Sequence, residues 1–193
     1  GGNCGQGPDD PGAYLDAVDR SGTPVHVGML LPHEALRRKI GLIDNNKAPS
    51  TEEIEQMCMH ANRMLDEGLL GLSFGIRYVP GISRKELWEL CETAVFGRHI
   101  LAAHVRDDAQ AVIPSIREWM EPAVQQNKFV QISHLGSMAG FGQMQKCLAF
   151  IDECRSNRIF VGFDCYPYEA FSNRIGSQTY EEGFLERYGI SYE

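Results

Sequence analysis

The feature that most constrains this chain is a rhythm. Short runs of mostly apolar residues, at 24–31, 69–74, 100–103, 129–133 and 159–163, alternate with longer stretches of helical periodicity. None of the short runs alternates strictly between apolar and polar, so each reads as a strand buried on both faces. Strands of that kind separated by helices are parallel βαβ units. The helices carry their own punctuation. Ser50 with Glu53, and Ser83 with Glu86, are capping boxes. Behind them, Ile54, Met57, Cys58, Met64 and Leu65 form one apolar stripe, and Leu87, Leu90, Cys91, Ala94 and Val95 form another. Gly68 and Gly97 end the two helices. Further helices are expected at 12–20, 109–126 and 142–156, with Pro114 in a first turn and Pro122 kinking or ending its helix.

Counting a strand remnant at Gly1-Gly2-Asn3, the chain offers about six strand-helix units. A complete (β/α)8 barrel has eight and typically about 250 residues. The expected class is therefore α/β, a partial TIM-like (β/α)8 barrel with about six of eight units. The chain begins without Met at Gly1 and stops in a polar segment at Glu193, so residues 1–193 are expected to be the central part of such a barrel, without its N- and C-terminal portions. An open doubly wound sheet would also fit the strand count. What favours the barrel is the position of the reactive residues. Cys4, His33, Tyr78, His104, His134 and Asp164 each stand just past a strand. In a barrel these ends ring one mouth, whereas a doubly wound sheet splits them across a crevice.

Charge and composition narrow the partners. With 18 Lys+Arg against 26 Asp+Glu, the formal net charge is -8, which argues against a grip on nucleic-acid phosphates. No apolar run approaches the roughly 18–20 residues a membrane span needs, so no membrane partner is expected. Six cysteines scattered through helices and strands do not make a disulfide framework and fit a reducing cytoplasm. Oligomeric state is left open. Gly71, Gly75 and Gly81 lack the Lys-Ser/Thr pair of a phosphate loop and read as turn glycines.

Cys4, His104 and His134 offer a thiolate and two imidazoles, a ligand set that suits zinc with one position left open. Zinc there would lower the pKa of water and polarise a carbonyl, chemistry suited to amide hydrolysis. The three are far apart in sequence and form no local metal signature. By pattern alone, two strand-end histidines and a buried cysteine remain the simpler reading.

Five segments change that balance. Gly2-Asn3-Cys4-Gly5, Gly71-Leu72-Ser73-Phe74-Gly75 with Tyr78 and Pro80 behind it, Ala103-His104-Val105-Arg106-Asp107, Gln131-Ile132-Ser133-His134 and Asp164-Cys165-Tyr166-Pro167-Tyr168 occur in one order along the chain. In that order the chain resembles the N-acyl-D-amino-acid deacylases (D-aminoacylases) of the metal-dependent amidohydrolase superfamily, from Gly1 to about Phe171. The resemblance implies a TIM-like barrel with Zn2+ at its mouth, hydrolysing a small-molecule N-acyl-D-amino acid to a carboxylate and a free D-amino acid. It implies that Cys4, His104 and His134 bind the metal and that Tyr78 lines the substrate site. Two residues after the second histidine the family has a lysine for the substrate carboxylate; this chain has Gly136. Arg106 or Arg77 is the cation that would take over, which makes Arg106 a candidate substrate contact beside Tyr78. An ion pair of Arg106 with Asp107, orienting the loop, is the structural alternative. The superfamily's His-x-His pair would precede residue 1 and its general-base aspartate would follow residue 193, so no catalytic residue is expected within the chain. A cyclic-amide hydrolase of the dihydroorotase or hydantoinase kind is less favoured, because no lysine stands at a strand end for carboxylation. A non-catalytic barrel remnant acting as an interaction protein is the alternative of a different class.

Overall fold

A computed structural model of the chain describes residues 4–140, 142–173, 175–177 and 180–191. Five strands form one all-parallel sheet: β1 (Leu31–Pro32), β2 (Gly71–Gly75), β3 (Ile100–His104), β4 (Val130–Ile132) and β5 (Val161–Phe163), in the spatial order β1-β2-β3-β4-β5. Among the described residues that order equals the chain order and never reverses, so these strands show no topological switch point of the doubly wound kind. The helices agree. Between the strands lie α2 (His33–Lys39), α3 (Thr51–Asp66), α4 (Arg84–Glu92), α5 (Val112–Gln125), the single turn α6 (Leu135–Met138) and α7 (Met144–Ser156), with α1 (Pro11–Ser21) before β1 and α8 (Phe184–Tyr188) after β5. α2 packs on α3, α3 on α4, α4 on α5 and α5 on α7. Such successive contacts place the helices in one layer, as in the wall of a (β/α)8 barrel. The proposed strand remnant at Gly1-Gly2-Asn3 lies outside the described residues.

Local chemistry explains the two best-formed helices. Ser50 Oγ accepts from the Glu53 N–H and Glu53 answers on the Ser50 N–H, while Ile54, Met57, Ala61 and Leu65 are buried beneath α3. α4 repeats the box with Ser83 and Glu86, burying Leu87, Leu90 and Cys91. Between helix layer and sheet, Phe74 of β2 lies 5.1 Å from the Trp119 ring of α5 and 5.2 Å from His33.

Three expectations are corrected. The run at 24–31 forms only the two-residue strand β1; Val25 is 67% exposed and Val27 42%, and without a second neighbour to cover them the residues before Met29 stay irregular. Pro122 does not itself end its helix, which runs on to Gln125. It sits in the last turn of α5, where one missing N–H is offset by burying Trp119, Pro122 and Ala123 together. His33 does stand directly after β1, but as the first residue of α2, a helix the periodicity did not announce, its ring is fully buried against Glu86 and does not line the mouth. Among the described residues no helix is long and apolar enough to cross a membrane.

Candidate metal centre

All the connections leaving β2, β3, β4 and β5 emerge at one end of the sheet, and there the chain gathers Cys4, His104 and His134. Each arrives by a different device. His104 is the last residue of β3, carried by the strand itself. His134 follows β4 by two residues with φ +38°, a left-handed conformation that costs a non-glycine residue roughly 1–2 kcal/mol. The Asp164 carboxylate, arriving from β5, holds it there: Oδ1 accepts the His134 N–H at 2.6 Å, and Oδ2 accepts from Gln131 Nε2 at 3.0 Å. Cys4 lies on no regular element. Its turn is pressed against β2 by Gly5, whose N–H donates to buried Ser73 Oγ at 3.1 Å and whose carbonyl accepts from the Glu34 N–H. The approach needs glycine on both sides. A Cβ at Gly75 would strike the Cys4 carbonyl, and one at Gly5, itself at φ +72°, would strike the Gly75 backbone.

The three ligand atoms all lie within 4.8 Å of one another, and Cys4 Sγ stands 3.3 Å from His134 Nε2. With ordinary Zn–S and Zn–N bonds, the edges of a tetrahedron are roughly 3.4–3.6 Å, so a metal ion fits with small side-chain movements. A second observation agrees: His104 Nδ1 is buried without a hydrogen-bond partner. Protonation favours the neutral forms. Burial, reinforced by the charges of Asp164 and Glu34, pushes the Cys4 thiol up to about 11. Burial, with His134 and Arg77 nearby, holds His104 well below the usual imidazole value, and burial lowers His134 despite the opposing Asp164 charge. Both imidazoles are thus neutral at pH 7, the state a metal needs.

A cavity of about 750 Å³ opens over these residues, lined also by Glu34, Asn45, Tyr78, Asp108 and Tyr188. Tyr78, expected at the substrate site, does face it. Its ring lies 4.7 Å from that of His104, and its hydroxyl accepts from Asn173 Nδ2 at 3.1 Å. Arg106 does not. Its guanidinium is bidentate on Glu118 at 2.7–3.0 Å and also reaches the Pro80 carbonyl, so its partner is neither the cavity nor Asp107. Buried Arg77 donates to the Arg106 carbonyl and stands 3.9 Å from Asp107 and Asp108. Among the residues that line the cavity neither Arg77 nor Arg106 appears. Pattern reading did not single out Glu34 or Asp108, because both lie on connections rather than at the first position after a strand.

No protein-family model matches the chain. Individual proteins do. It is 28% identical over 166 residues to a D-aminoacylase of Alcaligenes xylosoxydans xylosoxydans and 28% identical over 167 residues to an N-acyl-D-glutamate deacylase of the same organism, covering 84% of this chain and 34% of each relative. The solved structure of a D-aminoacylase that defines a novel subset of amidohydrolases superposes with a TM-score of 0.75 at 25% identity, over 86% of this chain and 40% of that one. The chain is similar to the D-aminoacylases. It spans about a third of the length of the curated relatives it matches. An N-acyl-D-glutamate deacylase from Bordetella bronchiseptica, solved with zinc and a phosphonate mimic of the tetrahedral intermediate, aligns at a TM-score of 0.73 and 28% identity over 82% of this chain and 34% of that one. The partial α/β barrel expected from the sequence agrees with the all-parallel sheet and with its superposition on part of the D-aminoacylase structures.

Proposed function

We propose that Cys4, His104 and His134 hold zinc and that the protein to which they belong hydrolyses the amide bond of N-acyl-D-amino acids, releasing a carboxylate and a D-amino acid. The observation that carries this is the convergence of one thiol and two neutral imidazoles within 4.8 Å, on three separate segments, at the floor of a cavity of about 750 Å³. Zinc held there supplies a Lewis acid for the scissile carbonyl and lowers the pKa of water. The chain's own residues supply the rest. Asp164 fixes the backbone of His134, the Gly5–Gly75 contact places Cys4, and Tyr78 offers a ring wall and a hydroxyl to the substrate. The relatives are named for deacylation of N-acyl-D-amino acids, which supports this reading over a cyclic-amide hydrolase. Gly136 stands where the family has a lysine, and among the described residues Arg106 is paired with Glu118 and does not line the cavity.

The test is metal analysis of the full-length protein and of its Cys4→Ala and His134→Ala variants, with amine release from a panel of N-acetyl-D-amino acids as the second readout. Loss of zinc and of turnover in both variants is expected. Unchanged zinc content and turnover in both would sink the assignment.

A further inference from the structure

The Ser137 hydroxyl makes two contacts that a single proton cannot satisfy in more than one way. Ser137 Oγ lies 3.0 Å from the His134 carbonyl oxygen and 3.1 Å from His134 Nδ1. The carbonyl can only accept; the ring nitrogen can donate or accept. Both contacts are hydrogen bonds only when Ser137 O–H donates to the carbonyl and His134 Nδ1–H donates to Ser137 Oγ. In the other tautomer the hydroxyl proton turns to Nδ1, and two oxygen lone pairs face each other at 3.0 Å. The rest of the chain of contacts runs the same way. Cys4 Sγ stands 3.3 Å from His134 Nε2, on the ring edge that the Nδ1–H tautomer leaves with a bare lone pair.

From this we infer that Ser137 is a positioning residue: it holds His134 as the Nδ1–H tautomer and so presents the Nε2 lone pair to the centre. The role is separate from that of Asp164, which grips the backbone of the same residue and leaves the ring free to choose its tautomer. The inference rests on the metal reading for its purpose, while its content, which nitrogen carries the proton, can be read on the metal-free chain.

The experiment is long-range 1H–15N correlation of the imidazole rings in the metal-free chain at pH 7.5, for wild type, Ser137→Ala and Ser137→Thr, with His134 assigned by its loss in His134→Gln. Zinc affinity of the same proteins is measured by chelator competition. Wild type and Ser137→Thr should show the Nδ1–H pattern at His134. Ser137→Ala should move toward the Nε2–H pattern and lose about tenfold in zinc affinity, the lower end of what removing an outer-shell partner costs. A purely structural role would lower the thermal midpoint and leave the ring pattern alone. An Nε2–H pattern in wild type, or an unchanged pattern in Ser137→Ala, overturns the inference. Absence of zinc uptake from every variant, with the wild-type pattern intact, counts against the metal reading and supports this one.

Discussion

At the scale of single residues, the centre is assembled from groups whose ordinary chemistry has been bent by burial. Cys4 is the clearest case. With its thiol pushed up to about 11 by desolvation and then by Asp164 and Glu34, it carries a proton at pH 7 that a metal must displace. His104 and His134 are shifted the other way and have no proton to lose. Zinc binding should therefore release one proton, and apparent affinity should rise about tenfold per pH unit between pH 6.5 and 8.5, below the thiol's own titration. Chelator competition across that range measures the slope; an affinity flat in pH would show that Cys4 is not a ligand. Cys4, His104 and His134 could be picked out in the sequence from the segments that hold them, and the structure puts His104 at the end of β3 and His134 two residues past β4. Ser137 could not. Its importance comes from a hydroxyl facing two atoms of one histidine, a relation that exists only once His134 has adopted its left-handed backbone.

At the scale of elements, two helices begin with the same motif and owe it different things. The Ser50–Glu53 box stands in solvent, and its loss would cost α3 about 1 kcal/mol. In the Ser83–Glu86 box the carboxylate is fully buried and also binds Arg37 through Nε and Nη2 at 2.8 and 2.7 Å and His33 Nε2 at 2.8 Å. It ties α4 to α2. Both boxes were legible in the sequence, but the added duty of the second was not, because Arg37 lies on a helix with no periodicity to mark it and His33 looked like a strand-end group. Glu86→Ala should cost roughly 3–5 kcal/mol, since it strands a buried guanidinium as well as a helix cap. The measurement is urea unfolding, with Ser50→Ala as the mild comparison. Burial pushes the Glu86 carboxyl up, but His33 and Arg37 outweigh it and hold it below the usual value. A carboxylate lowered in the folded state contributes stability that is present above its unfolded pKa and lost as pH falls through the folded one. The gap between wild type and Glu86→Ala should accordingly narrow in acid, below about pH 4.5.

At the scale of the molecule, five parallel strands in chain order make every sheet contact a contact with the unit next along. This much the alternation of strands and helices anticipated; Tyr78, His104 and His134 do share one end of the sheet, whereas His33 is buried against Glu86. The sheet's edge was misjudged at 24–31, where apolar side chains alone cannot make a strand without a neighbour. Cys4 and His134 break the rule of nearness: the contact between them spans 130 positions of sequence. Such a contact closes a long loop, whose entropy is spent late, after the strands between have paired. An ion bridging Cys4 and His134 would thus act as a latch on the finished structure rather than a nucleus for building it. Added zinc should slow unfolding in stopped-flow denaturant jumps and leave the refolding rate nearly unchanged, with the effect absent from Cys4→Ala. With zinc bound, the convergence at the sheet's end would confer persistence in time, a native state that takes longer to come apart than its strand pairing alone would dictate.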